Sequence, residues 1–128
     1  MPSTRIETRT GWVGHRRQEL IEAVQNALLE GLLIPEGDRC VRLTEYDHDA
    51  FIVPTGKGAT YTLVEVTLFS GRSLDAKRRL YRAMVEQLGR LGVPASDIKI
   101  TLIEVPPEDW GIRGLPASEI DLGFKIDV

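Results

Sequence analysis

Pro2 is the residue of this chain whose chemistry stands out. The side chain after Met1 is small, so the methionine is expected to be cut away, leaving a secondary amine at the chain end. A prolyl nitrogen held in a rigid ring can act as a base, an acid or a nucleophile. Met-Pro starts are common, and most free termini are frayed and inert. Here Arg5-Ile6-Glu7-Thr8-Arg9 alternates as a strand does, which would pin the terminus into a sheet and let an ordered amine face a pocket. A generic terminal amine titrates near roughly 7.7–8.0, and a prolyl one is more basic, so it works as a base only where burial or a neighbouring cation lowers its pKa.

Other reactive side chains read as structural. His15 and His48 lie in polar, loop-like surroundings with no second ligand at metal spacing, so no metal site is expected. Cys40, the single cysteine, excludes an intrachain disulfide framework and reads as a small core residue at a strand start. Gly56-Lys57-Gly58 lacks the full phosphate-loop spacing and leads into a strand, and is read as a flexible surface loop. The stretch from Pro106 to Pro116 brings Trp110 and charged residues together among prolines and glycines and is the better pocket wall.

The elements that must position Pro2 come in two copies, about 2–59 and 60–128, within one expected domain. Leu20 and Ala23 match Leu80 and Ala83; Ile34-Pro35 matches Val93-Pro94; Asp38, Glu45 and Phe51 match Asp97, Glu104 and Trp110. In the first copy Leu20, Ile21, Val24, Leu28 and Leu32 mark one face of a helix over 18–33, stopped by Pro35. A strand follows from Cys40 to Thr44, its far end reaching Glu45. In the second, a strand over 60–69 leads through Ser70-Gly71-Arg72 into a helix capped by Ser73, ending near Gly89 to Gly92, and then a strand over 98–105. These make an α/β (α+β) fold: two tandem β-α-β units, one four-stranded sheet and both helices on one face. The repeated Asp38 and Asp97 suit turns or caps; Phe51 and Trp110 suit packing first and pocket lining second.

The 128 residues, 42% of them hydrophobic, suffice for one core, and the net charge of −3 mixes 16 basic with 19 acidic residues. No basic block would grip nucleic acid, and no segment approaches the roughly 18 apolar residues of a membrane span. Without a signal-peptide pattern, a cytoplasmic location fits. One expectation concerns the bare sheet face, to which Val64, Val66, Leu68, Ile100 or Leu102 is assigned and which a ring of subunits would cover. A second makes 116–128, with Ile120, Leu122, Phe124 and Ile126 alternating, an edge strand or a subunit-bridging arm.

Pro2 on a strand, two β-α-β units and Phe69-Ser70-Gly71-Arg72-Ser73 before the second helix resemble the tautomerase superfamily over nearly the whole chain. Ile34-Pro35-Glu36-Gly37-Asp38-Arg39 and Glu108-Asp109-Trp110-Gly111 are similar to its malonate semialdehyde decarboxylase group. The resemblance implies a homotrimer without a cofactor, in which Pro2 is the catalytic amine, Asp38 works with it and Arg72 binds the substrate carboxylate. Ser70, Trp110, Arg113 and Phe51 are further substrate-binding candidates. The decarboxylases carry two arginines separated by one residue before the second helix, and Ser70 replaces the earlier one; Arg113, Arg9 or Arg42 are candidates for the lost charge. Keto-enol proton transfer on a small carboxylate-bearing substrate is therefore expected. A decarboxylase or hydratase of 3-oxo or unsaturated acids is the alternative enzyme, and a non-catalytic trimer binding a ligand or partner is the alternative of another class.

Overall fold

The apolar spacing of both halves produces two helices of equal length in the computed structural model, which describes all 128 residues: α1 (Arg17–Leu32) and α2 (Leu74–Gly89). Leu33 ends α1 in the left-handed conformation, φ 53°, its N–H donating to the Leu29 carbonyl, and Pro35 prevents continuation. Ser73 caps α2 by accepting the Ala76 N–H at 3.1 Å. The strands are β1 (Ser3–Arg9), β2 (Val41–Tyr46), β3 (Thr62–Phe69) and β4 (Ile98–Val105). They form one sheet in the order β2-β1-β3-β4. Each half contributes a parallel pair, and β1 runs antiparallel to β3 where the halves meet. No helix is long and apolar enough to cross a membrane.

Strand register decides which face is buried. Ile6 lies opposite Leu43 and Val64, and Val64 opposite Ile100. These side chains share one face with Val66 and Leu68 and pack under both helices against Leu20, Val24, Leu28, Leu80, Met84 and Leu88. Val64, Val66 and Leu68 are therefore not the uncovered layer that the alternation suggested, and Ile100 and Leu102 pack at the edge of the same core. The bare face carries Arg5, Glu7, Leu63, Glu65, Thr67, Lys99 and Ile103, a mixed polar surface. A strand's parity fixes which residues share a face, but only its partners say which face the helices cover.

The helices approach closely at Gly31. A Cβ there would fall 2.4 Å from the Leu80 Cα, and the Arg79 guanidinium donates to the Gly31 carbonyl from Nε (3.1 Å) and Nη2 (2.9 Å). The last segment forms no edge strand of the main sheet. Gly111–Ile112 (β5) and Leu115–Pro116 (β6) form a small hairpin, and beyond a 3₁₀ turn at Ala117–Glu119 no strand forms. Instead of extending the sheet, the chain folds back, so that the Val128 carbonyl accepts the Ser73 hydroxyl at 3.0 Å.

Gly31→Ala should destabilise the protein by about 1–3 kcal/mol, because the intruding atom meets backbone that cannot move aside without parting the helices. At Gly89 nothing lies within 4 Å of an added Cβ, so Gly89→Ala should be neutral or stabilising by up to about 1 kcal/mol. Urea denaturation of the two variants checks the contrast.

Candidate active site

The antiparallel pairing of β1 and β3 places the start of one beside the end of the other, and the candidate residues collect there. Pro2 is buried immediately before β1. Asp38 is held in the turn before β2, where its N–H donates to the Pro35 carbonyl (3.0 Å) and its carbonyl accepts from Nε2 of buried Gln25 (3.0 Å). A backbone bond from the Thr4 N–H to the Cys40 carbonyl, 2.9 Å, ties that turn to β1. Cys40 itself is exposed, since β2 begins one residue later, and it is not a core side chain.

Arg72 follows Gly71, whose φ of 119° lets the chain turn sharply from β3 toward α2. Its side chain is only 5% exposed. Nη1 reaches the Phe69 carbonyl at 3.5 Å, while Nε and Nη2 have no hydrogen-bond partner in the chain. A buried guanidinium with one whole edge unpaired is costly, because each N–H has lost water without compensation. That edge has the geometry for a carboxylate taken side-on through two parallel hydrogen bonds.

The terminal amine, which here belongs to Met1, lies 3.2 Å from Asp38 Oδ2. Burial lowers its pKa from the ordinary value, Asp38 opposes the shift, and the Arg72 charge adds to it. Burial likewise lowers the Arg72 pKa, opposed by Asp38. The three groups are thus electrostatically coupled. Beside the amine and Asp38 lies a cavity of about 260 Å³, whose wall includes Met1, Asp38 and Arg113 and, from the chain's end, Ile120, Leu122 and Phe124; buried Arg72 is not on that wall.

The remaining candidates separate. Ser70 makes the turn, its N–H donating to the Val105 carbonyl (3.1 Å). Trp110 packs on Phe69 with ring centroids 4.8 Å apart, donates from Nε1 to the Val105 carbonyl and, like Arg72, is not on the cavity wall. Phe51 is not brought to this cavity within the chain. It stacks edge-on with Tyr46 and Tyr61 at the opposite end of the sheet and lines a different cavity of about 310 Å³. Its match to Trp110 carried it there, since equivalent positions in antiparallel halves fall at opposite ends. Arg9 is drawn the same way, donating from Nε to the Phe51 carbonyl at 2.7 Å, and exposed Arg42 bonds Ser3 Oγ at 3.2 Å. The apolar wall at Ile120, Leu122 and Phe124 was visible as alternation but not as part of a site.

A model of the tautomerase enzyme family matches residues 38–113. The chain belongs to the tautomerase family. It is an isomerase-type enzyme by that membership, which sets aside the purely ligand-binding trimer. Along 94% of its length and the whole of the relative, it is 27% identical to a probable tautomerase, YusQ, of Bacillus subtilis. Among solved structures, FG41 malonate semialdehyde decarboxylase inhibited by 3-bromopropiolate is 31% identical with a TM-score of 0.77, covering 84% of this chain and 86% of that one. A fused 4-OT symmetric trimer is 26% identical with a TM-score of 0.79, covering 90% and 95%.

The tautomerase's α-amino group is tuned from two sides, and the signs follow. Asp38→Asn removes the group that raises the amine pKa, so the pKa should fall further. Arg72→Met removes a cation that lowers it, so it should rise. The pH dependence of amine acylation by an anhydride measures both, and shifts in the same direction would refute the arrangement.

Proposed function

We propose that this tautomerase loses Met1 and uses the Pro2 nitrogen for keto-enol proton transfer on a small carboxylate-bearing substrate. The observation that carries this reading is the unpaired Nε and Nη2 edge of buried Arg72, electrostatically coupled to the terminal amine. Removing Met1 brings the secondary amine to the buried start of β1, where desolvation favours its free base. Arg72 anchors the carboxylate. The amine takes the enol hydroxyl proton as the carbonyl forms, and the resulting ammonium returns a proton to carbon, leaving the base regenerated. Negative charge that develops on oxygen is stabilised by the same guanidinium.

A second reading has its own support. Asp38 favours the protonated amine, and the likeness to malonate semialdehyde decarboxylase covers most of the chain. A cationic Pro2 would polarise the carbonyl of a 3-oxo acid, with Asp38 assisting decarboxylation or hydration. For assembly we favour a homotrimer, supported by the trimeric 4-OT neighbour and by Leu63 and 42%-exposed Ile103 on the bare sheet face. A single domain over 1–128 and a cytoplasmic location complete the reading.

The test compares wild-type protein with Pro2→Ala on the enol of phenylpyruvate and on malonate semialdehyde, with intact mass recorded. Loss of Met1 and a drop of about 10²–10⁴-fold in the variant are expected. The preferred substrate separates the two readings; retained Met1, or equal activity in Pro2→Ala, would overturn both.

A further inference from the structure

The cation that the turn lacks at Ser70 has a counterpart across the cavity. We propose that Arg113 is the second cation of the carboxylate clamp, reaching the substrate from the hairpin side while Arg72 holds it from behind; this rests on the reading of the amine and Arg72 as the reactive centre. Arg113 and Gly114 are the two-residue turn between β5 and β6, with φ of 52° and 81°. Two positive φ values are the signature of a type I′ turn, whose first position favours Asn, Asp or Gly. A long side chain there is held in a conformation that L-residues disfavour, and such a cost at a cavity wall points to a role for the side chain.

The surroundings agree. Arg113 takes part in none of the chain's ion pairs or side-chain hydrogen bonds, although it shares the cavity wall with Asp38 and Asp121. Asp121 is turned to its own backbone, accepting the Gly123 N–H at 2.9 Å, and Asp38 is paired with the terminal amine. Arg113, exposed to solvent and without a protein partner, thus stands on the same cavity wall as the amine. The apolar wall formed by Ile112, Ile120, Leu122 and Phe124 suits the carbon body of the ligand. The ligand class is a small monocarboxylate with an apolar body, bound by two arginines from two different loops.

Arg113→Gly suits the turn better than arginine does, so it separates the charge from the fold. The probes are 3-phenylpropionate, which has no carbonyl to react, and its neutral amide, each titrated by NMR into wild type, Arg113→Gly and Arg113→Lys. In Arg113→Gly we expect the acid to bind about tenfold or more weakly, KM for the phenylpyruvate enol to rise with kcat changed little, and Tm to increase. The lysine variant should keep part of the affinity, and the amide should bind all three alike. Equal acid binding in wild type and Arg113→Gly, an equal loss with the amide, or no preference of wild type for the acid would each overturn the proposal. Should Pro2→Ala keep full turnover, the reactive-centre reading falls, and Arg113 is then judged on 3-phenylpropionate alone.

Discussion

Everything at the site depends on the pairing of β1 with β3. Were the two strands parallel, Pro2 and the turn bearing Arg72 would lie at opposite ends of the sheet. Because they are antiparallel, with Arg5 opposite Glu65 and Ser3 opposite Thr67, the beginning of one half meets the end of the other. The parallel partner β2 then brings the Asp38 turn to the same end. Three residues far apart in sequence are thus collected by backbone hydrogen bonds whose register leaves little freedom. The helices contribute by closing over the opposite surface of these strands and fixing the Asp38 turn through Gln25.

What is collected there is electrostatically unfavourable on its own. Arg72 is withdrawn from water with one edge unpaired, and a terminal amine stands nearby with only Asp38 to balance the two cations. Isolated buried charge is expensive, and the expense is reduced when an anion arrives. Opposed influences meet at the amine, because Asp38 pulls its pKa up while burial and Arg72 push it down, the downward effect prevailing.

Most of the fold was legible because both halves carry the same signals: helical spacing at Leu20 and Leu80, the prolines that follow, and a serine cap at Ser73. That residues 2, 38 and 72 gather at one end of the sheet was suggested by family resemblance and not by local chemistry, since nothing near Asp38 in sequence says that it meets the chain end. The sidedness of the sheet was misjudged because alternation in β3 is nearly lost, with Leu63 and Trp110-covered Phe69 apolar on the side away from the helices and Val64, Val66 and Leu68 apolar on the side beneath them. Within one chain Phe51 lies apart from the other candidates, because internal similarity reports equivalence, not proximity. The edge strand expected at the chain's end does not form, because alternation at Ile120, Leu122 and Phe124 suits any segment that presents one side to an apolar surface, whether or not it pairs as a strand.

The position equivalent to Asp38 in the second half is Asp97, and it has a different occupation. It is 4% exposed and accepts the Gly58 N–H at 2.9 Å and the Thr60 hydroxyl at 2.8 Å. Near the matching end of the sheet Trp12 stands where Arg72 would fall, its indole N–H donating to Thr8 Oγ1 at 2.9 Å. One half thus sets its aspartate beside the terminal amine, and the other uses the same position as a fastener for the connecting loop. An assembly of identical short chains must accept every substitution in all copies at once. Joining two copies in one polypeptide removes that restriction, so one site can be refined while its twin is given up to stability.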